Sequence, residues 1–267
     1  MFIYLLIGTC LVFLTNIYMH IVITPKPCLR KKKIIFVIPY RDRHTHFQKF
    51  MHNLEIIQRT SWELKVILVE QDNQNYFNKG WLMNIGIREA IQRYQPQCIV
   101  THDIDMLADS HVDYGWCDRP TQPCSEMDCW NNSVPQHGYN AGGSIQATPA
   151  LWTQLNGYSN DLEGWGGEDD EFKHRLHFNN LFATIKSDMI RRPSKGFGKC
   201  TCLHDNDHTK RLSDPARKKF MLEKLQRLHR GSQEWKDDGL NNVQYIIRKE
   251  IDRKALHLMV TKKVYHT

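Results

Sequence analysis

Between Phe2 and Ile23 the chain has no Asp, Glu, Lys or Arg. Those 22 residues would span about 33 Å as a helix, the thickness of a bilayer core. No basic residue precedes them, as one would in the n-region of a cleaved signal peptide. A signal-anchor helix over 1–23 is therefore the expectation, with a cleaved signal peptide or a soluble helix as the other readings. No two of the eight cysteines have the Cys-x-x-Cys spacing of a zinc knuckle or dithiol redox motif. Outside the apolar run seven cysteines remain, so at least one thiol is free or serves another purpose. No internal repeat or low-complexity segment is visible, and 41% hydrophobic with 24% charged residues excludes a disordered or collagen-like chain. A broad basic footprint is lacking too. The net charge is +7, but 26–33 carries +5 and 191–230 carries +8, leaving −6 for the remainder. Two local basic segments on an acidic body do not match a general nucleic-acid binder, and no nucleic-acid partner is expected. They fit a local cationic surface for a phosphate or an anionic partner.

Within the body, hydrophobic runs alternate in type. Ile34–Ile38 reads as a buried strand ended by Pro39, 45–58 has helical spacing, and Leu64–Val69 reads as a second strand. A helix is expected over 79–94, and a third strand over Cys98–Thr101 runs straight into His102-Asp103-Ile104-Asp105. Strand, helix, strand, helix, strand is the order of a parallel α/β sheet, in which ligands bind beyond the carboxyl ends of the strands. Tyr40-Arg41-Asp42-Arg43 and Asp103-Ile104-Asp105 would both lie there. Residues 110–145 read as irregular loops, 214–230 as a basic helix, and 243–247 and 256–260 as strands.

Three groups of residues carry chemistry. Asp103 and Asp105 present carboxylate oxygens of the kind that hold Mg²⁺ or Mn²⁺ together with phosphate oxygens; in isolation such a pair is more often a solvated turn. Gly164-Trp165-Gly166-Gly167 precedes Glu168-Asp169-Asp170-Glu171, which enter a helix where negative charge is favoured at the N-terminus. Trp165 offers a flat face for a sugar ring, and a carboxylate there can take a proton from a hydroxyl. Capping alone does not require four acids. The last group is Cys200-Thr201-Cys202-Leu203-His204 with His208. Alternation puts Cys202 and His204 on one side. They can complete the coordination of an ion on Asp105, join Cys200 and His208 in a structural zinc site, or belong to a disulfide-bonded loop.

Taken in order, Phe36-Val37-Ile38-Pro39-Tyr40-Arg41-Asp42-Arg43, Phe77-Asn78-Lys79-Gly80, His102-Asp103-Ile104-Asp105, Gly142-Gly143, Gly164-Trp165-Gly166-Gly167-Glu168-Asp169-Asp170 and Asp238-Gly239-Leu240-Asn241 resemble the β-1,4-galactosyltransferases, glycosyltransferase family 7. The resemblance runs from about residue 34 to 247. It implies an inverting transferase of the GT-A fold, an α/β architecture, that uses Mn²⁺ and a UDP-sugar. Pro39, Tyr40, Arg41 and Arg43 would hold uridine and phosphates, Phe77 and Lys79 would line the nucleotide site, and Asp103 would lie near the ribose or donor. Trp165 and Gly167 would face donor and acceptor, Asp169 would be the catalytic base, and Glu168 would bind a sugar. Asp105 and His204 would hold the metal, with Cys202 at the position of a further family ligand. A catalytically inactive sugar- or nucleotide-binding protein on the same fold is the alternative.

The resemblance also implies a Cys98–Cys117 disulfide, which leaves Cys124–Cys129 as a second pairing. At Asn140 the galactosyl enzymes carry tyrosine, so the donor is UDP-galactose or UDP-N-acetylgalactosamine. The Cys-x-His pattern leans toward the xylose-acceptor branch, with an acceptor glycan on a glycoprotein, proteoglycan or glycolipid. The expected organisation is a membrane anchor at 1–23, a short basic stem at 24–33 and a GT-A catalytic domain at 34–267. Family topology implies a single-pass type II Golgi protein, and the sequon Asn131-Asn132-Ser133 fits a secretory lumen. The basic cluster after the helix, read by the positive-inside rule alone, would instead keep the body in the cytosol.

Overall fold

The structure is a computed structural model that describes residues 31–130, 141–164, 166–182, 190–203 and 214–262. The proposed anchor and most of the stem, Trp165, His204, His208, Asn140 and the sequon lie outside the described residues. Among the described residues no helix is long and apolar enough to cross a membrane.

A six-stranded sheet forms the centre, in the order β6-β3-β1-β2-β9-β8. Its strands are β1 (Lys32–Tyr40), β2 (Trp62–Gln71), β3 (Cys98–His102), β6 (Ser144–Ala147), β8 (Ile246–Asp252) and β9 (Leu256–Thr261). Strand β1 runs parallel to β2 and β3, β9 parallel to β2, and β6 and β8 are antiparallel to their neighbours. Pro39 does not end β1. The pairing with β3 stops at Val37, whereas that with β2 continues to Tyr40. Beyond Val37 the strand has one neighbour, and a proline without an N–H is tolerated beside an open flank. The strand foreseen at 243–247 starts at Ile246 instead.

Period-two alternation along β1 sends Ile35 and Val37 to one face and Ile34, Phe36 and Ile38 to the other, all fully buried. The first set packs on α2 (Lys79–Tyr94) through Leu82 and Ile85, and on Trp152 of α3 (Pro149–Leu155) and Phe172 of α4 (Glu168–Phe178). The second packs on Phe50, Leu54 and Ile57 of α1 (His44–Ile57). Helices on both faces of a mostly parallel sheet give the α/β layering expected from the sequence.

A small second sheet, β4-β7-β5, joins β4 (Met106–Ala108), β5 (Glu126–Met127) and β7 (Lys199–Cys202). Disulfides Cys124–Cys200 and Cys129–Cys202 staple it. This corrects the Cys124–Cys129 pairing: β5 lies beside β7, so each cysteine meets a partner across the strands and not within its own loop. The same bonds remove Cys200 and Cys202 from a zinc site. Cys98 and Cys117 are buried thiols in contact with each other, not a disulfide.

Beneath α4 sits a network of charge. Glu171 and Arg175 are fully buried and meet at 2.8 Å. Arg175 also donates to the carbonyls of Asn156 (2.6 Å) and Asp238 (2.7 Å). Lys224, on α5 (Pro215–His229), is 2% exposed and lies 2.6 Å from the Asp238 carboxylate, which also accepts from Ser159. Removing one member strands a buried charge. Glu171→Leu is expected to cost about 3–5 kcal/mol in urea unfolding. Lys219→Ala, which breaks the exposed pair with Glu223, is expected to leave the unfolding midpoint unchanged.

Candidate active site

Three strand and helix ends converge where the sheet presents its carboxyl edge. Strand β3 delivers Asp103, α2 begins at Lys79, and α4 begins at Glu168. Lys79 Nζ lies 3.0 Å from Asp103, 3.3 Å from Glu168 and 3.6 Å from Asp169. Burial disfavours its charge, but the three carboxylates outweigh that and hold the ammonium well above its usual value. Burial raises Asp103 to about 6, against the pull of Lys79 and with help from Asp105. Burial likewise raises Asp169 to about 7, with Lys79 opposing and Glu168, Asp103 and Asp170 reinforcing. A carboxylate held near neutrality can accept a proton at working pH. The fourth acid, Glu171, points inward to Arg175 and belongs to the scaffold.

The turn before α2 is fixed from several sides. Asn78 is 1% exposed; its side chain accepts from the Trp81 N–H and donates to the Asn160 carbonyl, and its backbone N–H donates to Gln71. The Phe77 carbonyl accepts from the N–H of Gly164, which ties this turn to the glycine loop. Gly167 closes that loop as the N-cap of α4 with φ +90°. A Cβ there would lie 2.5 Å from Met221, so α5 packs directly on its backbone. Beside the loop, a cavity of about 350 Å³ is lined by Leu162, Glu163, Gly166, Arg217, Phe220 and Met221.

On the other flank, Arg41 donates to the Asn75 carbonyl at 2.7 Å and lies over the Phe77 ring. That joins the loops following β1 and β2. Tyr40 is 8% exposed and packs edge-on to Phe47 and His257, while Pro39 pairs with Val69 inside the sheet. These two shape the wall from behind. Arg43, exposed, precedes α1 and its carbonyl accepts from Phe47.

Asp105 lies between β3 and β4. Antiparallel pairing of β4 with β7 sets Met106 opposite Cys202, and the Leu203 N–H then donates to the Asp105 carbonyl at 2.7 Å. His46 Nε2 donates to the Leu203 carbonyl. Cys202 is corrected as a metal ligand: its sulfur is bonded to Cys129 and has no thiolate to offer. What remains for a divalent ion is a carboxylate at Asp105, in reach of Asp103, with an imidazole one residue past Leu203 in sequence. A hard oxygen with an imidazole nitrogen suits Mn²⁺ better than a thiolate set would.

Two features escaped the sequence reading. Lys79 is an ionic hub as well as a candidate nucleotide residue; a lysine in the first turn of a helix opposes the helix dipole and was the available signal. His102 is buried and held near 4 by desolvation; its Nδ1–H donates to the Asp103 carbonyl (2.7 Å) and Nε2 accepts from Tyr114 (2.8 Å). It fixes the end of β3 from behind as a neutral ring.

Residues 14–118 match the family described as the N-terminal region of glycosyl transferase group 7, and 123–206 match the N-terminal domain of galactosyltransferase. β-1,4-Galactosyltransferase 1 of Bos taurus is 28% identical over 240 residues, which cover 89% of this chain and 56% of that protein. β-1,4-Galactosyltransferase 6 of Rattus norvegicus is 28% identical over 238 residues, 88% of this chain and 58% of that one. The chain thus spans little more than half the length of these curated relatives. Among solved structures, a variant of Drosophila β-1,4-galactosyltransferase 7 in complex with manganese, UDP-Gal and xylobiose shares the fold. It has a TM-score of 0.70 at 22% identity and covers 88% of this chain and 95% of that one. From two adjoining family matches and a glycosyltransferase fold of the GT-A kind, the chain belongs to the β-1,4-galactosyltransferase family.

Proposed function

We propose that the protein transfers galactose from UDP-galactose to a sugar hydroxyl, with inversion, and that Asp169 is the base. The observation that carries this is the meeting of Asp103, Glu168 and Asp169 on Lys79, with Asp169 held near neutrality beside the glycine loop. The acceptor hydroxyl gives its proton to Asp169. Its oxygen forms a bond to the anomeric carbon as the bond from that carbon to the β-phosphate oxygen breaks, and the electron pair leaves with UDP. Attack opposite the leaving group inverts the centre. Holding the two reactants in line supplies much of the acceleration.

The wall formed by Arg41, Asn75 and Phe77 suits the nucleotide, and Arg43 stands beside it as a cation for phosphate. Glu168, beside Asp169 on the first turn of α4, is placed to receive sugar hydroxyls. Asp105 and His204 would hold Mn²⁺, which when bound supplies positive charge for the departing diphosphate. Support for Mn²⁺, UDP-galactose and a xylose-based acceptor comes from the manganese, UDP-Gal and xylobiose in the complex of the Drosophila enzyme variant. The cavity beside Gly166 is the space we assign to the acceptor. UDP-N-acetylgalactosamine is the competing donor, to be decided at Asn140. Anchoring in a membrane through 1–23 is supported by the charge-free run in the sequence, and the Golgi as its location by the family resemblance alone.

The direct test is Mn²⁺-dependent transfer of labelled galactose from UDP-galactose to a β-xyloside, run beside an N-acetylglucosaminide. Asp169→Asn is expected to lower kcat by about 10²–10⁴-fold, the usual worth of a general base; activity near wild type would sink the assignment. The base must be ionised to accept a proton, and burial makes it hold its own proton more tightly. kcat/KM should therefore rise with pH through about 7 and level off above. An acid limb at the ordinary carboxylate value of about 4 would mean a different base. Asp105→Ala, or chelation of the wild type, should abolish transfer, and added Mn²⁺ should restore only the chelated wild type.

A further inference from the structure

Opposite Lys79, the Asp169 carboxylate rests against bare backbone. A Cβ placed on Gly142 would fall 1.8 Å from Oδ2, 2.3 Å from Cγ and 2.8 Å from Oδ1 of Asp169. Carbon and oxygen atoms that are not bonded do not approach so closely. Gly142 is not among the glycines with positive φ, so glycine is needed there for room and not for backbone freedom. Its successor Gly143 accepts the Asp103 N–H at 2.8 Å. The dipeptide therefore spans the gap between the end of β3 and the start of α4, touching two of the three acids that Lys79 holds, Asp103 and Asp169.

The height of this seat is set by residues far away in sequence. The Gly142 carbonyl accepts from the Ser144 N–H at 3.0 Å and from Gln122 Nε2 at 2.8 Å. Gln122 is 2% exposed. Its Oε1 accepts from Arg192 Nε at 2.7 Å, and its backbone N–H donates to the Arg191 carbonyl at 2.9 Å. With both ends of the buried amide used, its orientation is fixed.

We propose that Gly142 is a positioning residue for Asp169, kept in place by Gln122 and Arg192, so that the base is confined between bare backbone on one side and Lys79 on the other. The proposal rests on the reading of Asp169 as the base. A methyl group at position 142 must drive the carboxylate away by roughly 1.5 Å to restore normal contact. Misplacement by about 1 Å is enough to cost about a hundredfold in rate. The nucleotide wall at Arg41, Asn75 and Phe77 is untouched by this change, so the loss should fall on kcat and not on the KM for UDP-galactose.

The test pairs Gly142→Ala with Lys219→Ala, a change on the exposed face of α5 that touches none of the site residues. Each is crystallised and assayed with Mn²⁺, UDP-galactose and the acceptor that serves the wild type. For Gly142→Ala we expect the Asp169 carboxylate displaced by about 1 Å or more and kcat down by about a hundredfold, with the donor KM within about twofold of wild type. Lys219→Ala is expected to match the wild type. An undisplaced carboxylate overturns the proposal, and so does a displaced one with kcat within about threefold of wild type. Should Gly142→Ala fail to fold, Gln122→Glu decides by the same criteria: it keeps the size of the side chain and its link to Arg192 but removes the N–H that holds Gly142. If the wild type transfers no sugar, the proposed reaction fails, and the crystal structure alone still decides whether the seat exists.

Discussion

One ammonium group holds the candidate site together. Lys79 meets Asp103, Glu168 and Asp169 within 3.0–3.6 Å, and no other cation bonds these three acids in the ion pairs of the described residues. Without it, three carboxylates from separate elements would repel each other in a poorly solvated space. Its placement breaks a local rule. The first turn of α2 contains no acid and carries this lysine against the positive end of the helix dipole, whereas α4 stacks four acids in its own first turn. The misplaced cation of α2 and the surplus of acid on α4 offset each other across the cleft. Consistency is recovered only in the tertiary structure, as is common where a site and not a fold is being specified.

Such an arrangement needs an unyielding support. The acids at the start of α4 sit on a helix whose next residue, Glu171, is locked to Arg175 with no exposure for either side chain. Arg175 in turn clamps the carbonyls of Asn156 and Asp238, and Asp238 takes Lys224 from α5. A buried ion pair contributes little net stability over well-packed apolar groups. It does fix direction, because the planar Arg175 fork is held on several sides at once, by Glu171 and by the carbonyls of Asn156 and Asp238. That is the property a base needs when its carboxylate must face a hydroxyl at hydrogen-bond distance.

The fold was legible because its pattern is local. Ile34–Ile38, Leu64–Val69 and Cys98–Thr101 are apolar runs with helical segments between them, and each forms its strand with only the ends extended. The acidic turn was legible for the same reason, as Gly164–Glu171 is contiguous. What lay beyond reading was any feature made by distant segments meeting. Cys202 looked like a ligand from its place beside His204, yet its partner Cys129 is 73 residues away. Gln122 has no motif at all; its meaning comes from the Gly142 carbonyl and Arg192, neither of which its neighbours in sequence announce. Lys224 read as one more charge on a basic helix and is buried, because Asp238 comes from a different stretch of chain.

The cysteines show how a residue can support a candidate ligand without being one. The strands β4, β5 and β7 have three, two and four residues, fewer than a sheet needs to stand alone. Disulfides spanning 76 and 73 residues close this corner, and in the chain-entropy account one loop of that length is worth about 4 kcal/mol, the second less once the first has formed. Their effect reaches Asp105 through a short path: Cys129 fixes Cys202, Leu203 follows it, and the Leu203 N–H holds the Asp105 carbonyl. A thiolate at Cys202 would have brought a soft ligand to an ion that prefers oxygen. Bonded to Cys129, the same sulfur instead steadies the backbone on either side of the candidate ligand Asp105.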